Sequence, residues 1–129
     1  MKTEPKFLNE LYTIKNIQKE SVNKLTIQVE LNRDHDIFKG HFPGHPILPG
    51  VCTIQILKEL LEIQLNRNLN LAKAGTIKYL SFIDPVKNSV INYEIQLNEM
   101  GSDRVSCGAT VKFESIVFCS LKSEFVIVY

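Results

Sequence analysis

Alternation of apolar and polar residues is the dominant pattern along the chain. Between Leu25 and Leu31, apolar side chains occupy every odd position and polar side chains every even position. The same period of two recurs between Ile91 and Leu97 and between Val105 and Phe113. Successive side chains of a β-strand point to opposite faces, so each of these segments is predicted to be a half-buried strand.

Further strands and turns complete this set. β-branched and aromatic residues predict a last strand over Ile116–Tyr129, and weaker patterns predict strands at about Thr76–Ile83 and before Ile17. The total is about six strands. Gly101–Asp103 is predicted to form a hairpin loop, and Glu114–Ser115 is a weaker turn signal.

The segment from Val51 to about Asn66 has a different period. Its apolar residues recur at helical spacing and predict one helix of about four turns. One long helix among antiparallel strands indicates an α+β domain in which a sheet packs on that helix. The polar residues of the segment also share one face, which by itself is typical of a solvated helix face. They are Gln55, Lys58, Glu59, Glu62 and Asn66.

Length and charge narrow the class of protein. The chain has 129 residues, of which 44% are hydrophobic and 22% charged, with a net charge of +1. This length fits a single domain, residues 1–129, with a core of its own. The absence of a strong basic excess argues against a nucleic-acid partner.

The N-terminus and the cysteines favour a reducing compartment. No apolar run follows Met1 as a secretory signal would require, and none is long enough to span a membrane. Cys52, Cys107 and Cys119 are an odd number without a C-x-x-C pair, which argues against disulfides and zinc. We therefore expect a cytoplasmic protein in which the cysteines pack in the interior.

No metal site is expected either. His35 lies between two aspartates, but neighbouring side chains in a loop point in different directions and seldom converge on one ion.

The stretch from Gly40 to Gly50 is unusual in composition. It contains three of the five prolines and three of the six glycines, and it leads directly into the predicted helix. Proline fixes φ and lacks an N–H donor, so this loop is predicted to be stiff and to stay outside the sheet. A rigid loop that presents side chains at a helix N-terminus is typical of a functional site.

Residues His41-Phe42-Pro43-Gly44-His45-Pro46-Ile47-Leu48-Pro49-Gly50-Val51 resemble the signature of the FabA/FabZ-type (3R)-hydroxyacyl-acyl carrier protein dehydratases. The resemblance extends to Asp36–Gly40 before the signature and to Ile77–Phe82 and Asp84–Val86 after the helix. The family then usually continues Pro-Gly-Asp, where this chain has Lys87–Ser89. The resemblance implies the hotdog fold, a curved antiparallel sheet wrapped around one long central helix.

The resemblance also implies a reaction and roles for single residues. The family removes water from 3-hydroxyacyl thioesters to give 2-enoyl thioesters in fatty acid or polyene biosynthesis. His41 occupies the position of the base that takes the C2 proton, and the Gly50 N–H would bind the thioester carbonyl. Phe42, Pro49 and Val51 would line the acyl tunnel. The substrate would arrive on acyl carrier protein or coenzyme A and bring its own phosphopantetheine, so no cofactor is implied.

The chain departs from the family at the second catalytic position. The family has Glu or Asp fourteen residues after the histidine, where this chain has Gln55, and an amide cannot protonate a departing hydroxide. One turn later, where the family commonly has Gln, this chain has Glu59. Positions i and i+4 share a helix face about 6 Å apart along the axis, so Glu59 is a candidate acid acting through a water or through Gln55.

Several alternatives remain open. His41 alone could carry the proton from C2 to the leaving hydroxyl, with Gln55 only orienting that group. The chain could act as a homodimer or larger homo-oligomer, or pair with a paralogue, because family sites combine residues of two subunits. It could also have lost dehydration and kept acyl binding. A thioesterase on the same fold is a further alternative, since fold does not fix chemistry.

Overall fold

The computed structural model describes residues 5–40 and 44–129, except for the side chains of residues 99 and 100. This part of the chain contains a one-turn helix, α1 (Ile37–Gly40), and one long helix, α2 (Gly50–Leu65). Its seven strands are β1 (Tyr12–Ser21), β2 (Lys24–Leu31), β3 (Asn68–Lys73), β4 (Ile77–Tyr79), β5 (Val90–Met100), β6 (Arg104–Phe113) and β7 (Ile116–Val128).

The strands form one antiparallel sheet in the order β1-β2-β5-β6-β7-β3, with β4 also paired to β7. Helix α2 lies on the inner face of this sheet, where Ile56, Leu57 and Leu60 are fully buried. The α+β class and the hotdog fold, with the sheet around one long helix, are confirmed.

The alternating segments behave as predicted. In β2 the residues Leu25, Ile27, Val29 and Leu31 are buried, and the polar residues between them are only half-buried. The same alternation runs through β5 and β6, so these strands place one face in the core. The three cysteines are free thiols in that core, as expected.

Both predicted hairpin turns are present. The N–H of Gly101 donates a hydrogen bond of 2.8 Å to the carbonyl of Arg104 between β5 and β6. Phe113 pairs with Ile116 across a two-residue turn in which Glu114 has a φ of +52°.

Two strand predictions need correction. The strand expected over Thr76–Ile83 is shortened to β4, because the N–H groups of Leu80 and Ser81 both turn to the carbonyl of Phe118 and leave the ladder. Strand β3 was not predicted, although Leu69 and Leu71 alternate with polar neighbours there. It follows α2 directly, and Asn66, with a left-handed φ of 52°, ends the helix and turns the chain.

Within residues 5–40 and 44–129, no helix is long and apolar enough to cross a membrane.

Candidate active site

The first turn of α2 carries backbone donors that none of the described residues pairs with. Pro49 precedes the helix and offers no capping side chain, and the Cys52 N–H bonds to the Pro49 carbonyl at 2.9 Å. The N–H groups of Gly50 and Val51 have no partner among the residues that the structure describes. Unpaired N–H groups at a helix start carry partial positive charge and favour a negatively charged or strongly accepting group.

A cavity of about 810 Å³ opens beside this helix start. It lies between α2 and the segment that follows β4, and most of its walls are apolar. The residues that line it are Ile47, Leu48, Gly50, Val51, Thr53, Tyr79, Leu80, Ser81, Phe82, Ile83, Phe118 and Cys119. The unpaired donors of the helix therefore lie at the edge of a space large enough for an acyl group.

Tyr79 packs directly against Gly50. A Cβ on Gly50 would stand 2.7 Å from the Tyr79 Oη and 2.8 Å from its Cζ, so a larger residue at position 50 would collide with the ring. Partial burial, and to a smaller extent the charge of Cys119, raises the pKa of the Tyr79 phenol. The hydroxyl beside the helix start is therefore protonated at neutral pH.

Glu59 lies one turn after Gln55 and is 0% exposed. In the described part of the chain, three donors surround its carboxylate. The Phe7 N–H contacts both oxygens at 3.1 and 3.0 Å, Tyr12 Oη donates to Oε1 at 3.0 Å, and Gln55 Nε2 donates to Oε2 at 2.9 Å. Burial, and then the charge of Glu59, raise the pKa of Tyr12 well above its ordinary value, so its hydroxyl remains a donor.

The polar stripe of α2 is therefore not a solvated face. Glu62 is also buried, accepts a hydrogen bond of 2.8 Å from the Leu69 N–H, and lies 3.6 Å from the Lys58 ammonium. The segment before β1 covers Glu59 and the start of β3 covers Glu62, so the interpretation of the stripe as solvated is wrong for both carboxylates. Helical periodicity reports which side chains share a face, and distant segments decide what covers that face.

The residues predicted to form the site separate into two groups. Gly50 and Val51 line the cavity, and Pro49 immediately precedes them. Gln55 and Glu59 are joined by a hydrogen bond deeper along α2 and are not among the residues lining this cavity. His41 and Phe42 lie outside the described residues, so their roles remain predictions.

Sequence reasoning did not assign Thr53 or Tyr79 to the site, although both belong to the cavity wall. Thr53 lies three positions after Gly50 and so shares its side of the helix, a relation that helical spacing alone could have revealed. Tyr79 reaches Gly50 only through the pairing of β4 with β7, which local sequence does not report.

Comparison with known proteins assigns the family. The family model of the ApeI-like proteins, described as ApeI dehydratase, matches residues 17–117. The chain belongs to the ApeI-like dehydratase family. The predicted likeness to FabZ-type hotdog dehydratases is thereby confirmed.

Curated relatives agree with this assignment at low identity. The 3-hydroxyacyl-(acyl-carrier-protein) dehydratase FabZ of Lactobacillus helveticus is 30% identical over 105 residues, covering 73% of this chain and 67% of the relative. FabZ of Fusobacterium nucleatum is 27% identical over 97 residues, covering 73% and 69%. FabZ of Rhizorhabdus wittichii is 37% identical over 54 residues, and the match spans only 42% of this chain and 34% of that relative.

Solved structures share the fold. The dehydratase heterocomplex ApeI:P from Xenorhabdus doucetiae superposes with a TM-score of 0.69 at 18% identity, covering 88% of this chain and 96% of that one. A hypothetical thioesterase with coenzyme A from Streptococcus pneumoniae superposes with a TM-score of 0.63 at 11% identity, covering 91% and 85%. At these identities the likeness establishes the hotdog fold, and the reaction has to be argued from the site.

Proposed function

We propose that the protein removes water from (3R)-hydroxyacyl thioesters, carried on acyl carrier protein or coenzyme A, to give trans-2-enoyl thioesters for fatty acid or polyene assembly. The observation that carries this proposal is the pair of N–H groups at Gly50 and Val51, which lie beside an apolar cavity and have no partner between residues 5 and 40 or 44 and 129. Membership of a dehydratase family supports dehydration as the reaction of this site.

The reaction breaks the C2–H and C3–O bonds and forms a double bond between C2 and C3. The thioester carbonyl lies at the Gly50 N–H, where the helix start stabilises the enolate-like charge that develops as C2 loses its proton. His41, at the family's base position, takes that proton, since a neutral imidazole with a pKa of about 6.5 is suited to the task.

The leaving hydroxide also needs a proton, and the amide of Gln55 has none to give. One amide hydrogen of Gln55 is committed to Glu59, so its oxygen is the end free to accept a hydrogen bond. Gln55 does not line the cavity beside Gly50, so the amide that meets the 3-hydroxyl there is that of a second copy of the chain, as in family sites that combine residues of two subunits. Glu59, closed in by three donors, positions this amide and does not touch the substrate. The His41 imidazolium then returns its proton to the departing oxygen.

A second copy of the chain completes the site. Val51, Tyr79, Leu80 and Phe82 are large apolar side chains that are 75, 55, 62 and 77% exposed, and all four border the cavity. An exposed apolar surface of this kind marks an interface. A homodimer would cover these side chains and enclose the cavity.

Product analysis tests the proposal. A 3-hydroxyacyl pantetheine thioester is incubated with the wild type and the His41→Ala, Gln55→Glu and Glu59→Gln variants, and the products are identified by mass spectrometry. The wild type should form the enoyl thioester, and His41→Ala should lose about 10²–10⁴-fold in rate. Glu59→Gln should be about tenfold slower because its partner amide is misplaced. A wild-type rate for Glu59→Gln would remove Glu59 from the mechanism.

Other products would point elsewhere. Free acid with free thiol would identify a thioesterase and contradict dehydration.

Gln55 at the usual acid position favours one other function, that of a partner or acyl-binding subunit. That function predicts no turnover by the chain alone and turnover when a paralogous chain is added. The same assay, run with and without the paralogue, separates the two functions.

A further inference from the structure

Thr53 places a hydroxyl group in the wall of the apolar cavity. The residue is only 2% exposed, and its hydroxyl has no hydrogen-bond partner in the part of the chain that the structure describes. Among the same residues, no fully buried polar side-chain atom lacks a partner. The Thr53 hydroxyl, which has no such partner, is therefore not fully buried. It touches solvent in the cavity that Thr53 borders.

The position of this hydroxyl is fixed by the core. The phenol of Tyr93, a fully buried residue of β5, donates a hydrogen bond of 2.9 Å to the main-chain carbonyl of Thr53. A β-branched side chain in a helix has few rotamers, so the hydroxyl has little freedom to turn away.

The surroundings of Thr53 favour an occupant that can form a hydrogen bond. Leu48, Ile83 and Phe118 line the same cavity and offer no polar side-chain atom. A hydroxyl held among such neighbours is disfavoured unless something pairs with it. Water in the cavity can pair with Thr53 but gains nothing from the apolar wall, whereas an acyl group that carries one hydroxyl would pair with Thr53 and bury its carbon atoms against that wall.

The spacing along α2 suggests which hydroxyl this is. Gly50 and Thr53 are three residues apart, on neighbouring positions of one helix side and about 4.5 Å apart along the axis. A 3-hydroxyacyl thioester carries its carbonyl on C1 and its hydroxyl on C3. We propose that Thr53 hydrogen-bonds the 3-hydroxyl of the substrate and so selects hydroxylated over unsubstituted acyl thioesters. This inference rests on the proposed function, which puts the thioester carbonyl at Gly50.

The test measures binding apart from turnover. In a His41→Ala chain, which leaves the ligand intact, calorimetry compares Kd for a 3-hydroxyacyl pantetheine thioester and for the matching saturated thioester. Threonine at position 53 should favour the hydroxylated ligand about tenfold, as expected for one hydrogen bond. Thr53→Val should abolish that preference by weakening only the hydroxylated ligand, and Thr53→Ser should restore most of it. A preference that survives in Thr53→Val, or is absent with Thr53, overturns the proposal.

Turnover by the chain with His41 intact separates this inference from the proposed function. A Thr53-dependent preference without dehydration would refute the dehydratase and leave the Thr53 contact standing. If the chain dehydrates the substrate and Thr53→Val keeps the preference for the hydroxylated ligand, the dehydratase stands and the Thr53 contact is refuted. Thr53→Val removes an unpaired hydroxyl, so its melting temperature should equal or exceed that of wild type; a marked fall would show the hydroxyl to be paired within the fold and contradict the proposal.

Discussion

Helix α2 carries polar groups at its start and in its middle, and the chain treats them in opposite ways. In the middle, Glu59 and Glu62 are buried carboxylates that receive hydrogen bonds from neighbouring segments of the same chain. At the start, the N–H groups of Gly50 and Val51 have no partner in the described part of the chain and face a cavity. One helix therefore holds a closed polar cluster and an open one.

The difference separates structure from function along this helix. A buried carboxylate with all its partners in place stabilises the fold, and removing one partner leaves the others unsatisfied. Donors without partners beside an apolar cavity are available to a ligand. Gln55 lies between the two regions, because its amide nitrogen is bound to Glu59. Through this hydrogen bond, the closed cluster holds the Gln55 amide in place.

The largest effect should come from closing the open region. Gly50→Ala puts a methyl group 2.7 Å from the Tyr79 Oη, so the ring or the helix start must move. We expect dehydration to fall about 100-fold, as for the loss of one oxyanion donor. The matched control is Gly40→Ala, whose Cβ would meet nothing within 4 Å. Steady-state kinetics measures both variants. An equal loss of activity in the two would contradict a special role for the start of α2.

The closed region should respond in stability. Glu59→Gln turns an amide nitrogen toward donors that now contact a carboxylate, and we expect the free energy of unfolding to fall by about 2 kcal/mol. Urea denaturation measures it. Combining Glu59→Gln with Gln55→Glu restores one acid and one amide and should recover most of the loss. An unchanged stability of the single variant would contradict the role given to Glu59.

The apolar rim of the cavity should respond in assembly. Phe82→Asp places a charge on a side chain that is 77% exposed and borders the cavity, and should weaken a dimer about tenfold. Val22→Asp is the control, because Val22 is 90% exposed in the turn between β1 and β2. Sedimentation velocity would contradict the proposed interface if both variants associated as the wild type does.

The smallest effect is expected from Tyr12→Phe, which removes one of the three donors to Glu59 and should cost about 1 kcal/mol. The substitution should also change how the stability of the fold declines at alkaline pH. The folded pKa of Tyr12 is raised above its unfolded value of about 10, so its contribution is full below pH 10 and is lost as pH rises beyond it. Denaturation between pH 8 and 11, as rough limits, should therefore give a shallower decline for the variant. Equal slopes would contradict this.

The sequence predicted the elements better than their contacts. Alternation in β2, β5 and β6 and the helical period of α2 follow from which face is buried, and local sequence carries that information. Local sequence does not reveal what covers Glu59, because Phe7 and Tyr12 are 52 and 47 residues away from it along the chain. The packing of Tyr79 on Gly50 is likewise set by sheet topology.

One measurement tests most directly whether the start of α2 binds the thioester. The chain has six glycines, so labelling with [¹⁵N]glycine gives a simple amide spectrum in which the Gly50→Ala variant identifies the Gly50 signal. A 3-hydroxyacyl pantetheine thioester is then titrated into the labelled His41→Ala chain. The Gly50 signal should move as the ligand binds, while that of Gly108, in β6, should stay in place. A Gly50 signal that does not move when the ligand is saturating would contradict thioester binding at this helix start.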